Sequence, residues 1–147
     1  MRELKPFKAP AFELKPRRVV TIPFRGNLAT VSDILEATNW IMYPFRIIEV
    51  KMIFTDEANN WIRHRWLVSR SQRPFAATTA PIAGVPGIDN IFGQESPAAE
   101  FRGKAIIRRV PLSVEFPEGR LYLYLYTHNA GPYAYEYAAS VTIEAMR

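Results

Sequence analysis

Hydrophobic and polar positions alternate with a period of two along much of this chain, and that period is the pattern of a half-buried β-strand. In FRIIEVKMIF, 45–54, Ile48, Val50, Met52 and Phe54 fall on one face. The turn-forming cluster TDEANN, 55–60, separates it from WIRHRWLVSR, 61–70, where Ile62, His64, Trp66 and Val68 alternate with Arg63 and Arg65. The two runs and their turn predict a β-hairpin. Upstream, RRVVTIPF, 17–24, is rich in β-branched residues and predicts a strand that stops at Pro23. Downstream, KAIIRRV and LSVEF predict further strands, followed by a turn at PEGR, 117–120.

The stretch LYLYLYTHNAGPYAYEY, 121–137, holds six tyrosines and three leucines and predicts a second hairpin running on into AASVTIEAM. Parity assigns its faces. In the last strand Tyr133, Tyr135, Tyr137, Ala139, Val141, Ile143 and Ala145 form the core row, because the even positions include Glu136, Ser140, Thr142 and Glu144. In the preceding strand Leu121, Leu123 and Leu125 are easier to bury than Tyr122, Tyr124 and Tyr126, whose hydroxyls need partners. The leucines are therefore expected inside, with the three tyrosines in an exposed outer row. A paired hairpin with this arrangement needs a one-residue shift of register, which a bulge at Gly131 would supply.

Two segments depart from period two. VSDILEATN, 31–39, predicts one short helix, with Thr30 or Ser32 as the cap and Asp33 and Glu36 near its positive end. Residues 71–103 hold four prolines and four glycines and follow neither period, yet carry Ile82, Val85, Ile88, Ile91 and Phe92. So apolar a loop is expected to lie across the fold or on a partner. The expected organisation is an extended proline-rich arm over 1–16, where Glu-Leu-Lys-Pro occurs twice, and one domain over 17–147. Leu4, Phe7, Phe12 and Leu14 make the arm too apolar for a solvated tail, and a neighbouring subunit is the natural surface to hold it. The expected class is all-β: an antiparallel sandwich, including the jelly roll, with one short helix.

Composition narrows the chemistry. The 147 residues suit a single domain, and no apolar run is long enough to cross a bilayer as a helix. Nor does MRELKPFKAP contain the apolar core of a secretory signal, so a soluble chain without membrane association is expected. There are no cysteines, which excludes disulfides, thiol nucleophiles and thiolate-bound metal; two histidines leave too few ligands for a histidine-rich centre. The net charge of +5 is the excess already present in residues 1–25, where Arg2, Lys5, Lys8, Lys15, Arg17, Arg18 and Arg25 face Glu3 and Glu13. Basicity thus belongs to the arm.

Candidate reactive groups each have a simpler structural reading. Trp61 and Trp66 among Arg63, Arg65 and Arg70 suit nucleic-acid stacking, but alternation makes His64 a satisfied histidine on the apolar face. Asp56, Glu57, Asn59 and Asn60 offer hard oxygens without an EF-hand spacing, and turns favour those residues anyway. Ser69, His64 and Asp56 have no nucleophile-elbow context, and phosphate-loop, dinucleotide and zinc-protease motifs are missing. The expectation is a protein with no catalytic residue, metal or cofactor.

The basic arm, RVVTIPF, the run YPFRIIEVKMIFTDEANNWIRHRWLVS, the long apolar loop and the closing GRLYLYLYTHNAGPYAYEYAASVTIEAM together resemble the small jelly-roll proteins of virus particles, of the phage capsid or capsid-decorating type. That resemblance is architectural. It implies a virion location, a β-sandwich body and an arm that laces copies together, as a trimer or lattice, through Leu4, Phe7, Phe12, Leu14, Arg17 and Arg18. Tyr122, Tyr124, Tyr126 and Trp61 would then contact other copies or other virion proteins. The alternative reading is a carbohydrate-binding β-sandwich, such as a tail or receptor-binding component, with those aromatics as its platform. A third is nucleic-acid contact by Lys15, Arg17 and Arg18, which would weaken steeply with salt.

Overall fold

A computed structural model describes residues 18–70, 88–93 and 100–146. Nine strands and no helix occur among them: β1 (Val19–Leu28), β2 (Ser32–Ala37), β3 (Phe45–Phe54), β4 (Ile62–Ser69), β5 (Asp89–Asn90), β6 (Phe101–Arg102), β7 (Ile106–Phe116), β8 (Tyr122–Asn129) and β9 (Tyr135–Ala145). They form two antiparallel sheets. The first has the order β1-β9-β3-β7; in the second, β2-β8-β4 is followed by β5 and β6, which both pair with β4. Phe45, Ile47, Val50, Met52, Leu125 and Val141 are among the side chains sealed in the β-sandwich core. Trp66 sits within it, its indole 3.5 Å from the Met52 sulfur and edge-on to Phe24.

Neither predicted hairpin forms. β3 and β4 lie in different sheets, and so do β8 and β9. Period two reveals that a strand has one apolar face but not which strand lies beside it, and in a sandwich two inner rows can face each other across the core instead of sharing a sheet. This removes the register problem in the tyrosine segment. Leu121, Leu123 and Leu125 face inward from one sheet while Tyr137, Ala139, Val141 and Ile143 face inward from the other, so both parity assignments hold within the strands with no bulge at Gly131. Tyr133, expected in the core row, precedes β9 in the crossing and is exposed.

The predicted helix is strand β2, paired along its whole length with β8. Val31, Ile34 and Thr38 are β-branched and poor helix formers, whereas the ladder with β8 pairs one edge of β2 and sets Leu35 beside Tyr126. The hydroxyl of Ser32 donates to the Ala29 carbonyl at 2.6 Å, a turn contact rather than a helix cap. β1 runs through Pro23 because it is an edge strand; Pro111 likewise lies on edge strand β7.

One bulge corrects the assigned face of β3. Between Ile47 and Glu49 two residues of β3 oppose a single step of β9, which resets parity. Phe45 and Ile47 therefore point inward together with Val50, Met52 and Phe54, and Ile48 leaves the core row. From 71–103, the described parts do lie across the fold: β5 and β6 pair with β4, while Ile91, Phe92 and Phe101 pack on the core.

Candidate assembly surface

Sheet register gives the sandwich two distinguishable ends. At the first lie Val19, segment 38–44, the β7–β8 turn and Ala145; at the second lie Leu28, segment 55–61, Gly103 and the 130–134 crossing. The described chain enters at the first end. There the Arg18 guanidinium is 6.0 Å from the Tyr43 ring centre, and the Arg18 carbonyl accepts from Ala145 N–H at 2.9 Å. Leu4, Phe7, Phe12, Leu14 and Arg17 lie outside the described residues.

Beside this entry point the surface is unusually apolar. Val19, Val20, Trp40 and Met42 are exposed, Met42 by 64%, although each is of a type that normally packs inward. A second patch lies toward the opposite end on edge strand β7, where Ile107 pairs with Ile53 and Ile106 with Phe54. Ile107 and Ile53, directly opposed on the outer face, are exposed, Ile107 by 57%; Ile106 is exposed too, but on the other face of the strand beside Phe54. Arg108 covers the Phe101 ring at 5.3 Å and Arg109 reaches Glu49 at 3.5 Å, so charged groups border the patch without covering it. Sequence reasoning missed both patches. The clue was broken alternation: in KAIIRRV and NWIMY adjacent apolar residues cannot all point to the same side of a strand.

The predicted tyrosine row is on the outer face, but it is not an exposed platform. Tyr124 and Tyr126 are only 2% and 4% exposed, forming a small second core with Leu67 and Ile88 and flanked by Leu35 and Tyr122. Part of the apolar loop returns over this face, which parity alone does not foresee. The Tyr126 hydroxyl donates to Asp33 Oδ2 at 2.7 Å; burial, and then that carboxylate, push the phenol far above its ordinary pKa and keep the donor protonated. Tyr122 is half-buried, its ring edge 4.9 Å between centroids from Trp40. Trp61 is half-buried at the other end, packed so closely on Gly131 that a Cβ there would come within 2.7 Å of the indole. The four named aromatics therefore do not share one face.

The remaining candidate groups are dispersed by the fold. His64 is fully buried, its Nδ1 2.9 Å from Thr127 Oγ1, and desolvation pushes the imidazole down to about 3. Ser69 belongs to the opposite face of β4, and Asp56 sits in a turn 3.9 Å from Lys104 Nζ. Asn59 and Asn60 both take positive φ, the left-handed conformation that asparagine tolerates, which accounts for the turn composition structurally.

No protein-family model matches the chain, and no curated protein matches it. Among solved structures it is similar to a chain from the structure of infectious bursal disease virus Gx strain, with 13% sequence identity and a TM-score of 0.46. That match covers 89% of this chain and 33% of the viral one, so this chain spans about a third of its length.

Proposed function

We propose that this protein is a non-enzymatic structural component of a virus particle, a capsid or capsid-decorating protein that assembles with copies of itself. One observation carries the reading: apolar side chains are exposed toward both ends of the sandwich, Val19, Val20, Trp40 and Met42 near the root of the arm and the directly opposed pair Ile53 and Ile107 on the far edge. Soluble monomers rarely leave such groups of aliphatic and aromatic side chains uncovered, and patches that are not the same surface suit head-to-tail contacts between copies. The strand order supports this reading. With β5 and β6 taken as one interrupted strand, β1-β9-β3-β7 facing β2-β8-β4-β5/β6 is the order of an eight-stranded jelly roll, an architecture used by capsid proteins but also by lectins and cupins.

In this reading the arm, residues 1–16, crosses to a neighbouring copy with Leu4, Phe7, Phe12 and Leu14 as its apolar anchors. The test is the solution mass of the full chain and of a variant lacking residues 1–16, by light scattering across a salt series. A defined oligomer or larger assembly that shrinks on truncation is the expected result. Monomers from both proteins at every salt concentration would overturn the assembly function.

A further inference from the structure

On the outer face of the second sheet, one row of side chains crosses four strands. Register places Asp33 of β2 opposite His128 of β8, His128 opposite Arg63 of β4, and Arg63 opposite Arg102 of β6. Directly opposed residues project to the same side, so these four stand side by side. The neighbouring row adds Tyr126 and Arg65, with Glu100 beside them.

The charges in this cluster do not balance. Glu100 is used by two arginines, one per oxygen: Oε2 is 3.4 Å from Arg65 and Oε1 is 3.3 Å from Arg102. Asp33 accepts from Tyr126 and lies 3.8 Å from His128 Nδ1. That leaves Arg63 with no carboxylate and no side-chain hydrogen bond among the described residues, between a histidine on one side and another guanidinium on the other. Its Nε is buried without a partner, and so is His128 Nδ1. Like charges directly opposed across a β-ladder destabilise it, and a desolvated unpaired donor costs more again. The row is nonetheless accessible, since Arg102, His128 and Asp33 are all partly exposed.

From this arrangement we infer that Arg63, Arg102 and His128 form a binding site for a phosphate-type oxyanion. Strands about 4.8 Å apart present donors at a spacing that several oxygens of one tetrahedral anion can share. A carboxylate such as Glu100 presents its two oxygens in one plane, one to each of two arginines here, whereas a tetrahedral anion directs oxygens toward three or more donors at once. The guanidinium fork of Arg63 supplies the main contact and Arg102 the second, while the anion neutralises the repulsion between them. This site is independent of the two apolar patches, and it stands whether or not the protein assembles.

The test is isothermal titration of the full-length protein with inorganic phosphate, at ionic strength held constant with chloride. A parallel titration uses a short oligothymidylate. Wild type is expected to bind phosphate at one site, and Arg63→Gln to weaken binding about tenfold or more, the value of one charge-assisted hydrogen-bond pair. Arg109→Gln, on the other sheet beside Glu49, should leave it unchanged. Without phosphate, Arg63→Gln should unfold at the same temperature as wild type or higher, because a repulsive contact is gone, so lost binding is not lost folding. Tighter binding of the oligonucleotide, also abolished by Arg63→Gln, assigns the phosphate to a nucleic-acid backbone; equal or weaker binding assigns it to a small free anion. Absence of phosphate binding, or equal losses in Arg63→Gln and Arg109→Gln, overturns the site.

Discussion

At the scale of single residues, the most informative polar groups are the buried ones. His64 Nε2 has no hydrogen-bond partner, and the ring packs between Phe54 and Tyr137. Its folded pKa of about 3 lies below the ordinary 6.5, so the neutral form is what the fold accepts. The resulting stability is fully present above 6.5 and is lost progressively as pH falls from there toward 3. Between about pH 7.5 and about 5.5 this one group should remove about 1.4 kcal/mol. Urea titrations at the two pH values should show that loss in wild type and not in His64→Gln. Asn129 is a second such residue. Its amide donates to the carbonyls of Leu28, Ala29 and Tyr133 at 2.8–3.1 Å while its Oδ1 accepts from Gly131 N–H at 2.8 Å, which ties the β1–β2 corner to the β8–β9 crossing. Asn129→Ala should cost about 3–5 kcal/mol, and Asn129→Asp at least as much, because it turns an acceptor toward three carbonyls. Thermal unfolding of the two variants decides this.

At the scale of elements, what could be read from the sequence was the existence and inner face of strands. Alternation identified the inner rows of β4, β8 and β9 because each buries a mainly apolar row, with His64 in β4 and Thr127 and Asn129 in β8 as its polar members. It misassigned β3 where the bulge after Ile47 resets parity, and it left strand partners open because nothing local distinguishes a hairpin from a crossing between sheets. The helix over 31–39 failed for a related reason: β2 gains its stability from pairing with a strand some ninety residues away in sequence. Crossings depend on special backbone positions instead. Gly119, in the β7–β8 turn, has φ of +60°, and a Cβ there would stand 2.3 Å from the Tyr43 carbonyl oxygen. Gly93 has φ of +115° with open space around it. Gly119→Ala should therefore lose the ~1–2 kcal/mol of left-handed strain plus the displacement of Tyr43, and its melting temperature should fall further than that of Gly93→Ala. Equal decreases would show that segment 38–44 yields to the added methyl group.

For the whole molecule, the decisive question is how the two apolar patches are used together. The Met42 and Ile107 patches are at different ends and on different elements, so in the proposed assembly a contact between them is heterologous: one copy would offer the first patch and its neighbour the second. A charge in either patch then blocks it, so Met42→Asp and Ile107→Asp should each be monomeric at concentrations where wild type assembles. Both should keep the melting temperature that wild type shows at dilutions where it is monomeric, since each replaces an exposed side chain. Mixing them restores one intact contact, because the Met42→Asp protein still carries a good Ile107 patch and the Ile107→Asp protein a good Met42 patch. An equimolar mixture should therefore form a heterodimer and stop there, giving twice the monomer mass by light scattering. If the contact instead joined like patches, each variant would still dimerise alone through its untouched patch, and mixing would add nothing. Dimers from the single variants would thus reject head-to-tail assembly, whereas monomers that pair only when mixed would establish it, together with the two surfaces that carry it.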